Sequence, residues 1–304
     1  MRTLKTKTLS WHHLQRPDKK DLDWIQNNFH FHQIVMGELT KPTVRPKAEL
    51  FDRYIYMVLH FPIFEERERK THQREIDFLI TENELITVSY ESIPPLDAFF
   101  KMCLGEKSCQ ELYASKTPAH LLFYVLKELF NFSLRELDHI QENVNQIEEK
   151  IFSGFERDVV EELSIVRRDI IDFRRAVKPQ HLTLESLKDH CLKLFGSSLG
   201  PYFAGLVGEY QKVWNLLENN KEALDALYDN NTTLLNVKQN EIMKIFTILA
   251  FITFPLTLLV SILQINTENN PILGRSPYDF WIIVAVVVTV TMIMIWIFKK
   301  KNWI

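Results

Sequence analysis

Four neutral oxygen donors stand close together near the C-terminal end of the chain: Thr257, Ser261, Gln264 and Asn266. Thr257 and Ser261 are four residues apart, so a helix places them on one face, with Gln264 and Phe254 beside them. Hydroxyl and amide oxygens are hard, uncharged acceptors. They suit a divalent cation held through its water shell, Mg²⁺ above all, because Mg²⁺ sheds water reluctantly. Asn266 is the leading filter candidate, since copies of its amide around a shared axis would form a ring of oxygens. Gln264 adds a second ring or packs against a neighbouring subunit. Asn266 also suits a helix C-cap, and the hydroxyls also suit bonds to their own helix backbone. Followed toward the N-terminus, the same face presents Ala250, Phe246 or Thr247, and Met243. A line that is polar at one end and apolar at the other fits a hydrated filter followed by a gate that closes by dewetting. Glu268 and Asp279, just beyond, are acids that would raise the local cation concentration.

Other chemistry is thin. His12-His13 and His30-Phe31-His32 are the closest histidine groups, and His30 and His32 share a face if that segment is a strand. Neither group has a second pair at zinc spacing. Cys103, Cys109 and Cys191 form no CxxC pair and fit free thiols in a reducing compartment. Eight glycines argue against a glycine-loop nucleotide site, and a formal net charge of −3 is too small to imply a nucleic-acid partner. No nucleophile–base arrangement is legible, so neither an enzyme nor a resident cofactor is expected.

The elements that must position the oxygen line are two charge-free runs, Ile245–Leu263 and Phe280–Phe298, each of 19 residues. As helices each is about 28 Å long, close to the hydrocarbon thickness of a bilayer. Pro255 loosens the first locally. The second offers only Thr289 and Thr291 as polar groups and reads as its lipid-facing partner, with Trp281, Trp296 and Trp303 as interfacial anchors. Lys238 and Lys244 precede the first run and Lys299, Lys300 and Lys301 follow the second, whereas the loop between them carries only Arg275. The positive-inside rule then places both termini in the cytoplasm and the loop outside. The N-terminus has positive charge but no apolar run behind it, so it does not read as a secretory signal.

Before the runs lies a polar body. Residues 1–117 read as mixed α/β: a helix over Asp21–Asn28 with Asp21 as N-cap, and strands at His32–Val35, Tyr54–Phe61, Ile76–Ile80 and Leu85–Tyr90, with a hairpin turn at Glu82-Asn83-Glu84. Pro94-Pro95 ends that section. Residues 118–243 read as long helices: His120–Ile151, Glu156–Val177, Leu184–Phe195, and one from about Tyr202 running into the first span. A helix of roughly 60 residues would be about 90 Å long and needs neighbours throughout. Asn220 and Asn231 interrupt its apolar stripe and suggest a seam facing water inside an assembly. The remaining boundaries are 244–266 for the first span, 267–279 for the outer loop, 280–298 for the second span and 299–304 for a basic tail.

This order resembles the CorA family of divalent metal-ion transporters over almost the whole chain. Asn240-Glu241-Ile242-Met243-Lys244 is similar to that family's lead-in to the first span, and Pro255-Leu256-Thr257 to its Pro-Leu-Thr. Lys299-Lys300-Lys301-Asn302-Trp303-Ile304 is similar to its lysine-plus-tryptophan end, and Asn266-Thr267-Glu268 to its Asn-Phe-Glu. The resemblance implies an α+β cytosolic domain with long helices, then a two-helix transmembrane hairpin in a funnel-shaped homopentamer of the cell (inner) membrane. It implies passive flux of Mg²⁺, with Co²⁺ and Ni²⁺ as further candidates, and places Asn266 at the family's filter asparagine. The chain departs from the pattern at three places. Gln264-Ile265-Asn266 stands for Gly-Met-Asn, Ile272 for an acid of the outer loop, and Gly205 for an aspartate that a magnesium-regulated member uses between subunits. They keep a second reading open: a zinc-transporting relative, proton-coupled or not, or a family-shaped membrane protein without Mg²⁺ transport.

Overall fold

The computed structural model describes residues 1–263 and 278–301, apart from positions 66, 69 and 156. Two compact units divide between Tyr228 and Asp229.

The first unit is built on strands β1 (Arg2–Lys5), β2 (Ser10–Gln15), β3 (Lys47–Phe51), β4 (Tyr54–Glu65), β5 (Lys70–Thr81) and β6 (Glu84–Ser89). They form one sheet in the order β1-β2-β6-β5-β4-β3. Every neighbouring pair is antiparallel except β2–β6, which is parallel. The continuous apolar run of β4 is explained by burial on both faces, from Tyr54 to Ile63. The β5–β6 hairpin turns where the acid-Asn-acid triplet expects it.

One face carries helices α1 (Lys19–Phe29) and α2 (Gln33–Glu38), whose Ile25 and Val35 share a core with Tyr56, Val58, Leu79, Ile86 and Val88. The other face carries α3 (Pro94–Gly105), α5 (Pro118–Phe152), α6 (Val159–Val177) and α7 (Gln180–Phe195), with α4 (Lys107–Tyr113) beside α3. There Trp11 meets Phe100 edge-on with ring centroids 4.7 Å apart, and Phe61 meets Phe130 at 5.7 Å. Breaks between the long helices fall at Gly154 and Gly196, both at positive φ, where a side chain would be strained.

Several expectations are corrected. His32–Val35 is not a strand. His32 is the N-cap of α2, its ring Nδ1 accepting from Ile34 N–H at 3.2 Å, and His30 closes α1 in the left-handed region. The two histidines therefore do not share a strand face. The N-cap of α1 is Asp18. Asp21 sits three residues on and completes a capping box: its N–H donates to Asp18 Oδ1 at 2.8 Å, and its Oδ2 accepts from Asp18 N–H at 3.3 Å. Strands β1, β2 and β3 were not legible, because their inward positions include polar residues such as His12 and His13.

Helix α8 spans Gly200–Leu263, 64 residues with Pro255 inside. Asn220 and Asn231 do not mark a wet seam. Both are buried within the single chain, and Asn220 Nδ2 donates to Leu137 O of α5 at 3.2 Å. A polar side chain sits dry between helices when a neighbour's backbone carbonyl accepts from it. The second unit consists of the end of α8, from Asp229, with α9 (Asp279–Lys300).

Candidate functional site

The C-terminal stretch of α8 and the whole of α9 are long and apolar enough to cross a membrane. Along α8 from residue 236 onward the half-buried or buried positions are Thr247, Ile248, Ile252, Leu256, Leu259 and Val260. Apart from Thr247, they fall at three- and four-residue spacing on one side of the helix. Met243, Phe246, Ala250, Phe254, Thr257 and Ser261 are all exposed and occupy the opposite side, with Phe254 82 % accessible. The predicted pore line is thus one continuous face, uncovered in a single chain. On α9 the half-buried positions Ile283, Val287, Val290, Thr291, Met294 and Phe298 repeat in the same way.

Polar groups inside these helices look first to their own backbone. Thr257 Oγ1 donates to Thr253 O, and Thr247 Oγ1 to Met243 O, each at 2.8 Å. Thr289 and Thr291 do the same on α9, at 2.7 and 2.8 Å. The back-bond uses the hydroxyl proton but leaves the lone pairs of Thr257 Oγ1 as acceptors, so the two readings of this residue coexist. Pro255 withholds the N–H that the Phe251 carbonyl would otherwise accept, a local weakness within the span. Trp281 and Trp296 are exposed near opposite ends of α9, and Lys300 Nζ lies 5.3 Å from the Trp296 ring. Gln264, Asn266 and Glu268 lie outside the described residues, as does Trp303; α9 begins at Asp279.

The histidine groups are structural. His12 and His13 leave opposite faces of β2. His12 bonds to Glu84 at 3.0 Å beside Trp24, and His13 bonds to Thr87 at 2.9 Å against Phe100. Burial is the main cause that lowers the His13 pKa to about 4. Cys103 and Cys191 are buried, and burial pushes the Cys103 thiol up to about 12. Among the described residues, Glu65, Glu68 and His72 converge as three metal-ligating side chains at the β4–β5 turn, but Glu68 and His72 already share a 2.8 Å hydrogen bond there. Sequence reading missed that cluster and the buried acids of β5, since neither follows a motif.

The chain is thus a mixed-sheet body with long helices that ends in two helices long and apolar enough to cross a membrane. The chain matches the model of the family described as CorA-like Mg²⁺ transporter protein over residues 6–300, and it belongs to that family. It is 24 % identical over 276 residues to the cobalt/magnesium transport protein CorA of Thermotoga maritima, covering 91 % of this chain and 78 % of that one. Its fold is similar to the complete CorA magnesium transporter from Methanocaldococcus jannaschii, with TM-score 0.84, 21 % identity and coverage of 99 % and 93 % of the two chains. It is also similar to the ZntB cytoplasmic domain from Vibrio parahaemolyticus, with TM-score 0.62, 15 % identity and coverage of 76 % and 89 %. The protein is a divalent-cation transporter of the CorA family and not an enzyme.

Proposed function

We propose that the protein passes Mg²⁺ down its gradient through a central pore lined by the α8 face Met243, Phe246, Ala250, Phe254, Thr257 and Ser261. A homopentamer in the cell (inner) membrane, with both termini cytoplasmic, closes that face around an axis. Asn266, with Gln264 beside it, forms the outer ring that meets the hydrated ion, and Glu268 enriches cations at the mouth. The observation that carries this reading is the exposed line itself. It runs along the side of α8 opposite the half-buried face, so it is available to surround an axis without unpacking the chain. Its oxygens lie toward Ser261 and its large apolar groups toward Met243, the order a hydrated filter and an apolar gate require.

The test is ion flux into vesicles containing the purified protein, across Mg²⁺, Co²⁺, Ni²⁺ and Zn²⁺, with and without a pH gradient. Mg²⁺ entry should be seen in wild type and fall at least about tenfold in Asn266→Ala, the effect of losing roughly 1.4 kcal/mol of ion stabilisation. Unchanged entry in Asn266→Ala removes that residue from the filter. Zn²⁺ entry driven by the pH gradient, with no Mg²⁺ entry, would instead favour the reading motivated by Gln264, Ile272 and Gly205.

A further inference from the structure

Strand β5 carries Glu75 and Asp77 two positions apart, so both side chains leave the same face of the sheet. Glu75 lies opposite His60 on β4, and Asp77 opposite Val58. Asp77 is fully buried and Glu75 is 5 % exposed. Glu75 Oε2 accepts from Thr43 N–H at 2.7 Å and lies 3.1 Å from His60 Nε2. Asp77 Oδ2 accepts from the Tyr90 hydroxyl at 2.7 Å. The other two oxygens, Glu75 Oε1 and Asp77 Oδ1, are buried and have no hydrogen-bond donor among the described residues. Adjacent carboxylates removed from water resist double ionisation. A proton shared between the two neighbouring carboxyls would supply the donor that these orphan oxygens lack.

The surrounding charges leave the pair uncompensated. Lys47 of β3 is engaged by Glu38 of α2 at 2.8 Å and by Glu49 at 3.1 Å. Arg74 is engaged by Glu65 and Glu91 at 3.0 and 3.1 Å. Tyr56 of β4 and Tyr90, beyond β6, are neutral, which leaves His60 as the basic group touching the pair. A metal ion is the rival occupant, yet among the described residues Glu75, Asp77 and the adjacent His60 do not bring three ligand atoms within reach of one ion. Burial, then the Glu75 charge, pushes the Asp77 carboxyl well above the usual range, against the lowering effect of the Tyr90 hydrogen bond.

We propose that Glu75 and Asp77 share one proton at neutral pH, and that this proton latches the 40–46 segment over the sheet. The segment is tied there at Thr43, whose N–H donates to Glu75 and whose carbonyl accepts from His60 Nε2 at 3.0 Å. On deprotonation the Asp77 O–H bond breaks, the proton leaves to water, and the pair's charge goes from −1 to −2. The repulsion is relieved when the segment lifts and water enters through the cavity of about 300 Å³ bordered by Thr43, Val44, His60, Glu75 and Tyr90.

Hydrogen–deuterium exchange on the full-length protein in detergent tests this. Where closure requires one bound proton, the opening constant of the segment rises about tenfold per pH unit above the titration, over and above the chemical pH dependence of the α5 amides. Asp77→Asn keeps a donor to Glu75 and removes the titration, so its 40–46 exchange should follow the α5 amides at every pH. A wild-type segment with no excess slope, or the same slope in Asp77→Asn, overturns the proposal. A measurement on wild type alone guards against a variant that fails to fold. Infrared spectra at neutral pH should contain a protonated-carboxyl band that disappears on alkalinisation, and its absence at neutral pH also overturns the proposal.

Discussion

At the scale of single residues, burial decides chemistry more than residue type does. His13 stands beside Asp97, with Nε2 3.5 Å from Oδ1, an arrangement that would favour its charged form in water. It is 1 % exposed, and loss of hydration wins, lowering its pKa from 6.5 to about 4. Between those values the unfolded chain binds the proton and the folded chain does not. Stability on this account is flat above the unfolded pKa and falls as pH drops toward the folded one, by up to about 3 kcal/mol. Urea unfolding of the wild type and His13→Gln, followed by tryptophan fluorescence across pH, should show that difference between the two proteins. Residue identity in the sequence shows a histidine. It does not show which of two adjacent histidines meets Phe100 and which meets Trp24.

At the scale of elements, periodicity was the readable signal, and it carried the long helices well. The apolar spacing from His120 to Ile151 predicts α5 almost to its ends, because one face of that helix must pack along its whole length. Short elements were less legible. His32–Val35 shows the alternation of a strand, but local capping by the His32 ring and burial of Val35 favour a helix. The asparagines of α8 show the same limit. A stripe interruption reads as polar surface until a neighbouring helix supplies a partner, as Leu137 O does for Asn220. That contact predicts a sharp asymmetry. Asn220→Leu should unfold within about 1.5 kcal/mol of wild type, since both the polar group and its desolvation are removed together. Asn220→Asp places an unpaired charge in the same spot and should lose about 3–5 kcal/mol, measured by the same urea titration.

At the scale of the whole molecule, the transport reading rests on copies of α8 turning one face to a common axis. Cysteine cross-linking in native membranes checks this. With Cys103, Cys109 and Cys191 replaced by serine, Phe254→Cys should give disulfide-linked dimers, two copies per bond, whereas Ile252→Cys, on the half-buried face, should remain monomeric on the gel. Equal dimer yields from both positions would remove the proposed axis. The sequence by itself determined that this chain has a polar α/β body, long helices and two apolar spans, and it pointed to the family. Those properties follow from hydropathy and period, which every residue carries locally, and from the strings around Pro255 and the terminal lysines. The tertiary structure decided what depends on distant segments meeting. It paired β2 with β6 in parallel, placed His12 and His13 on opposite faces, buried Asn220 against α5, and set Glu75 and Asp77 side by side beneath Thr43. A partner many residues away changes the solvation of a side chain, and solvation sets both its charge and its hydrogen bonds.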